Sequence, residues 1–145
     1  MSIIRQLTGD EGVRKCVYKD HLGYDTIGIG RLVDSRKPGA GLRTSEIQFM
    51  LANDVADRVE QLTARLPWFT RLDEARQGVL LNMSFQLGVD GLLTFKNTLR
   101  YIEAGNYDRA AINMRISKWY DQTPARAKRM IEQMTTGVWQ YTPGT

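Results

Sequence analysis

Apolar residues along this chain change their spacing twice, and each change marks a different kind of element. Ile3, Ile4 and Leu7 follow Ser2 at the spacing of a short amphipathic helix over residues 2–11, with Gly12 as its stop. Val13 to Lys19 then reads as a strand, and Asp20-His21-Leu22-Gly23 as a turn. Ile27 and Ile29 follow at period two, interleaved with Gly28 and Gly30, so residues 13–33 predict a small antiparallel sheet. Asp34 to Arg43, with Pro38, Gly39 and Gly41, is a loop. From Thr44 the period turns helical again: Ile47, Leu51, Val55, Val59, Leu62 and Leu66 share one face until Pro67.

Beyond Pro67 the pattern predicts helices throughout. Val79, Leu80, Leu81, Met83, Phe85 and Leu87 make a segment apolar on nearly all sides, which predicts a buried central helix. Gly91, Gly105 and Asn106 punctuate shorter helices. Thr123-Pro124 reads as a capping threonine followed by proline at the first helical position. Ala127, Met130, Ile131 and Met134 form its buried stripe, and Gly137 ends it. The expected fold class is α+β, mainly helical. A single domain over 1–145 comprises an N-terminal lobe at about 12–43, a connecting helix at about 44–66 and a helical C-terminal lobe at about 67–145, with helix 2–11 packed on the latter. A cleft between lobes is the default place for a ligand.

Composition narrows this picture. With 145 residues, 42% of them hydrophobic, the chain can bury a core without metal or disulfide staples. Its single cysteine, Cys16, excludes an intrachain disulfide and reads as a half-buried strand residue with no neighbouring base. A net charge of +4 favours anionic partners: nucleic acid, acidic lipid or a cell-wall polymer. Nucleic acid is set aside, because no stacking platform, zinc spacing or recognition motif accompanies the charge. No apolar run approaches the roughly 20 residues of a transmembrane segment, and Met1 to Gly12 lacks the apolar stretch of a secretory signal. One histidine and one cysteine do not make a typical transition-metal cluster, so neither metal nor cofactor is expected. Trp68, Trp119 and Trp139 are expected to be buried in helical packing rather than displayed to sugars.

Candidate chemistry begins at Glu11. With Asp10 it stands at a helix C-terminus, where a carboxylate opposes the macrodipole. Such a place raises a carboxyl pKa, as a general acid requires, although taken alone the feature is better explained as a solvated acidic pair at a helix end. Asp20 begins the turn, and Thr26 lies on the next strand; singly, each residue is commonplace there. A helix end, a turn and a strand can nonetheless converge to supply an acid, a second carboxylate and a hydroxyl. Two carboxylates flanking a bond are the minimal equipment of glycoside hydrolysis. Gly28 and Gly30 would let an extended sugar chain approach the backbone closely.

The ordered set Asp10-Glu11-Gly12, Tyr18-Lys19-Asp20, Gly23-Tyr24, Thr26-Ile27-Gly28-Ile29-Gly30, Asn82-Met83, Phe85-Gln86, Trp119-Tyr120, Gln122-Thr123-Pro124 and Arg126-Ala127-Lys128-Arg129 resembles the T-even phage lysozymes, glycoside hydrolase family 24, along nearly the whole chain. That resemblance implies a lysozyme-like fold and hydrolysis of the β-1,4 bond between N-acetylmuramic acid and N-acetylglucosamine in peptidoglycan, with inversion, for host-cell lysis. Glu11 would be the general acid, with Asp20 and Thr26 holding and activating the attacking water. Gly30, Leu32, Phe85, Thr98 and Asn113 would contact substrate, and Arg126 would pair with Glu11. The implied protein is a monomeric endolysin, held in the host cytoplasm before release and acting on the periplasmic cell wall after a separate protein opens a membrane pore.

The chain also departs from that family. Thr98 stands where the relative has serine, which keeps the hydroxyl. Arg31 follows Gly30 where histidine is common, and the expected partner of Arg31 is Asp54 on the long helix. Arginine does not titrate near neutrality, so the pH dependence a histidine would bring is expected to be absent. His21 is expected to be a solvated turn residue, and the loop from Asp34 to Arg43 is shorter than in the T-even relative. Two other activities stay open at this point. A lytic transglycosylase would need the acid but not the water-holding pair, and a membrane-active protein would use the basic last helix carrying Arg126, Lys128 and Arg129.

Overall fold

The computed structural model describes residues 3–143, and of Glu11 it describes the backbone alone. Helix α1 spans Ile3–Glu11; strands β1 (Arg14–Lys19), β2 (Asp25–Gly28) and β3 (Arg31–Leu32) follow. Six further helices complete the order: α2 (Thr44–Arg65), α3 (Glu74–Leu93), α4 (Lys96–Glu103), α5 (Tyr107–Arg115), α6 (Lys118–Gln122) and α7 (Pro124–Thr136). The α+β, mainly helical class read from the sequence is the observed one. Two compact units divide within α2, one running to Leu51 and the other starting at Ala52.

The first unit is built on a three-stranded antiparallel sheet in the order β1-β2-β3. Tyr18 pairs with Thr26 and Lys19 with Asp25; an irregularity between Arg14 and Tyr18 shifts the register. Thr26 pairs in turn with Leu32, and Ile27 with Arg31. Among the described residues of this unit the buried ones are polar, Thr26 and Asp34, while Val13, Val17, Leu22 and Ile29 stay exposed. Cys16 is exposed rather than half-buried, because the strand that carries it has no covered face.

Order here comes from a polar tie rather than an apolar core. The carboxylate of Asp34 accepts from the backbone N–H of Asp25 at 3.0 Å and from the N–H of Arg36 at 2.9 Å. It also takes Nε and Nη2 of the Arg36 side chain at 2.8 and 2.7 Å. Arg36 reaches onward to the carbonyl of Gly23 at 3.2 Å. One buried carboxylate thereby joins the loop after β3 to the start of β2 and to the turn before it. Every donor it takes is an N–H, which is how a buried charge escapes its desolvation cost.

The second unit holds the apolar core. Leu62, Phe69, Val79, Leu80, Met83, Leu92, Ile102, Met114 and Met134 are almost wholly occluded. The long stripe on α2 is only partly used: Leu62 and Leu66 are buried, Val59 packs against the core, and Val55 is exposed. In the first unit the same stripe leaves Ile47 and Leu51 exposed, since that unit offers no apolar core. Helix α3, expected to be buried on nearly all sides, buries Val79, Leu80, Met83 and Leu92 but leaves Phe85 exposed and Leu81 and Leu87 half-buried. It kinks at Gly88, whose φ of 76° and ψ of 163° only glycine adopts freely.

Two local expectations are corrected. Pro124 opens α7 and Gly137 closes it at φ 69°, as the sequence predicts, but Thr123 makes no capping bond. Its hydroxyl donates to the carbonyl of Trp119 at 3.0 Å and accepts from Gln86 Nε2 at 3.2 Å, and a long-range partner thus displaces the local one. Trp68 and Trp119 are buried as expected, whereas Trp139 is 45% exposed and stacks on Tyr141. Trp139 lies just past the end of α7, with one edge of its ring over Gly78.

Candidate active site

The turn between β1 and β2 is organised by Asp20. Its Oδ1 accepts from the backbone N–H groups of Leu22 and Tyr24, both at 2.9 Å. Its own N–H donates to the carbonyl of Tyr24 at 2.9 Å. The bonds from Tyr24 and Leu22 hold the Asp20 carboxyl below its ordinary pKa, the neighbouring His21 adding to them, so it is ionised throughout the neutral range. Among the described residues these side-chain bonds fall on Oδ1 and none on Oδ2.

Thr26 is buried on β2, and its hydroxyl donates to the same Tyr24 carbonyl at 3.0 Å. With its proton engaged there, the Thr26 oxygen is left as an acceptor. Asp20 and Thr26 are therefore joined through one peptide carbonyl. Leu32 is half-buried opposite Thr26, and Gly30 turns the chain between β2 and β3 at φ 72°. A side chain would be strained at that angle. The first unit thus assembles Asp20, Thr26, Gly30 and Leu32 on one small sheet. Glu11 is the last residue of α1, and its side chain lies outside the described residues.

The remaining expected contacts belong to the second unit, on separate helices. Phe85, on α3, is 37% exposed and carries the guanidinium of Arg58 over its ring at 5.3 Å. Asn113, on α5, is half-buried and spends its amide on the carbonyl of Arg109 at 3.0 Å. Thr98, on α4, is only 3% exposed. Arg126, on α7, donates from Nε to the Asn82 side chain at 2.8 Å and from Nη2 to the Asn82 carbonyl at 3.2 Å. The Glu11 carboxylate expected beside it lies outside the described residues.

Arg31 brings a further correction. The carboxylate that receives it is Glu46, at 2.6 Å, where the sequence pointed to Asp54. Glu46 sits in the first turn of α2 and reaches back to the N–H of Arg43 at 2.7 Å, half of a capping box. That backward reach delivers it to β3. Arg31 and the Arg43 N–H together lower its pKa to about 2.

Sequence reading missed three contributors. Asp34 and Arg36 carry the fold of the first unit, and Arg58 holds Phe85. The Asp34-Ser35-Arg36 spacing is a usable signal for an aspartate accepting from the second N–H along. Nothing local marks Arg58. Among the described residues no group of three or more His, Cys, Asp and Glu side chains is placed to hold a metal ion. Nor is any single helix among them long and apolar enough to cross a membrane.

Comparison with known proteins supplies the lineage. The phage lysozyme family matches residues 8–134. The chain is 32% identical to probable T4-type lysozyme 1 of Dictyostelium discoideum, over 94% of this chain and 95% of that protein. It is equally 32% identical to the pre-baseplate central spike protein Gp5 of Enterobacteria phage T4, over 94% of this chain but 28% of that protein. Peptidoglycan hydrolase gp36 of Pseudomonas phage phiKMV is 31% identical over 90% of this chain and 15% of its own length. The matched length thus makes up nearly all of one relative and a small part of two longer ones. A match running from α1 into the last turn of α7, on a three-stranded sheet followed by a helical unit, places this chain in the phage lysozyme family and makes it a glycoside hydrolase.

Proposed function

We propose that this lysozyme hydrolyses the β-1,4 bond between N-acetylmuramic acid and N-acetylglucosamine in peptidoglycan, with inversion. The observation that carries the proposal is the Asp20 and Thr26 arrangement. Asp20 is ionised, its Oδ1 is consumed by the turn, and its Oδ2 remains to accept a proton. Thr26 donates inward to Tyr24 and keeps an acceptor for water. A water giving one hydrogen to each oxygen would turn its lone pair toward an anomeric carbon. As the bond to the leaving sugar breaks, Glu11 protonates the glycosidic oxygen and Asp20 takes the proton of the attacking water.

Arg126 is the partner of Glu11 in this reading, and Asn82 already engages two of its donors. Leu32, Gly30, Phe85 and Asn113 contact the sugar chain. The enzyme works as a monomer and reaches the wall from the host cytoplasm through a pore made by another protein.

The test is turbidity clearing of outer-membrane-permeabilised cells by wild type and Glu11→Gln, with analysis of the released ends. A loss of about 10²–10⁴-fold in Glu11→Gln, with reducing sugar ends from wild type, supports general-acid hydrolysis. Anhydro-sugar ends would mean a transglycosylase, and undiminished lysis by Glu11→Gln would mean a membrane-active protein.

A further inference from the structure

We infer that Arg58 is a positioning residue for substrate, holding the Phe85 ring in its binding orientation; this rests on the reading of Phe85 as a substrate contact. Arg58 comes from α2, and Ser84 and Phe85 are neighbours on α3. Its Nη1 donates to the Ser84 carbonyl at 2.9 Å, 26 residues away in sequence. Its guanidinium carbon stands 5.3 Å from the Phe85 ring centroid. One side chain therefore grips both the backbone and the ring of a single short segment.

That segment needs an external grip. Gly88, one turn further on, has non-helical angles and interrupts the ladder of α3. The turn from Ser84 to Leu87 is thus a helix end within the element, where carbonyls seek donors and a cation is favoured by the helix dipole. Arg58 supplies both, and the flat guanidinium can stack while it donates, which an ammonium cannot do as well. Phe85 keeps enough exposure for its ring to meet a ligand.

The surroundings suit a polar substrate. Asp54, Asp57, Arg58 and Gln61 lie on α2 at the spacing of one helix face, and with Phe85 they line an open groove of about 400 Å³. Its walls thus offer acceptors, donors and one aromatic surface, the set that sugar hydroxyls and amides use. Without the grip of Arg58 the ring would sample other rotamers, and each productive encounter would have to reorder it.

The test compares Arg58→Ala, Arg58→Lys, Phe85→Ala and the double variant Arg58→Ala/Phe85→Ala on soluble glycan strands, with kcat, KM and Tm for each. Arg58→Ala should raise KM about twofold to fivefold, the equivalent of one exposed cation–π contact, with kcat little changed. Arg58→Lys should fall between it and wild type, and it carries the test should Arg58→Ala not fold. Adding Arg58→Ala to Phe85→Ala should not raise KM further, because the two changes remove one shared interaction. If Phe85→Ala raises KM while the Arg58 variants lower only Tm, Arg58 is structural and the inference fails alone. If Phe85→Ala leaves KM unmoved, the reading of Phe85 fails and takes the inference with it.

Discussion

Asp20 and Tyr24 are tied by two hydrogen bonds that run in opposite directions. The Asp20 N–H donates to the Tyr24 carbonyl, and the Tyr24 N–H donates to the Asp20 carboxylate, each at 2.9 Å. The turn's two carboxylate bonds fall on Oδ1, and the proposed mechanism assigns the proton transfer to Oδ2. Asparagine retains an oxygen at the same place, so Asp20→Asn should keep the turn and leave Tm close to wild type. Its rate should nonetheless fall about 10²–10⁴-fold, the scale of a lost general base. Circular-dichroism melts and clearing rates on the same preparations separate the two effects, and a variant that stays active would remove Asp20 from the mechanism.

The pH–rate profile offers a second check on this residue. A base must be ionised, and the Asp20 carboxyl lies below its ordinary value. Its protonation should therefore cut activity only below about pH 4, the usual aspartate range. An acid limb at higher pH that moved in Asp20→Glu would contradict this.

Thr26→Val removes the hydroxyl from a buried site while nearly keeping its volume. Loss of the bond to Tyr24 should cost about 1 kcal/mol of stability. Activity should fall much further than that, while Thr26→Ser should retain most of it. Equal activity in the valine and serine variants would show that the hydroxyl plays no part with water.

The Arg31 and Glu46 pair sets an acid-side stability limit. Glu46 has a pKa of about 2 when folded, against an ordinary value of 4.5. A lowered pKa stabilises the fold fully above the unfolded value, and the gain disappears as pH falls through the folded one. The Tm difference between wild type and Glu46→Gln should thus be largest at neutral pH and shrink from about pH 4.5 to 2. Arg31→His should behave in the opposite sense. Glu46 would raise the new histidine above its usual value near 6.5, so its contribution would be present below that pH and lost as pH rises through the raised value. Wild type should show no such slope between about pH 6 and 8, because arginine stays charged.

Gly78 faces Trp139 with no room for a methyl group. A Cβ there would lie 2.4 Å from the indole ring. Trp139 is half exposed past the end of α7, so Gly78→Ala should push the ring outward rather than break α3. The expected signs are a red shift in tryptophan emission and a loss of about 1–3 kcal/mol, the cost of overpacking. Unchanged emission would mean that the ring does not rest on Gly78.

Some of this was legible because it is local. The helix starting at Pro124 and stopping at Gly137 rests on proline's fixed φ and glycine's left-handed one, both properties of single residues. The Asp20 turn likewise depends on an aspartate reaching N–H groups two and four residues on. The role proposed for Glu11 has no such local basis, since an acidic pair at a helix end has a bland explanation. That expectation rests on the ordered motifs along the chain rather than on the surroundings of Glu11.

What escaped was the choice of partner. Thr123 had the sequence of a cap, yet Trp119 and Gln86 take its hydroxyl. Arg31 was expected to meet Asp54, and the capping reach of Glu46 supplies a different carboxylate. Arg58 had no local signal at all for its place on Ser84 and Phe85. By itself the sequence determined where helices and strands form and which turn carries the carboxylate, because those follow from backbone preference and the period of apolar residues. Only the tertiary structure decided which donor meets which acceptor, because a hydrogen bond depends on distance and direction between groups far apart in the chain.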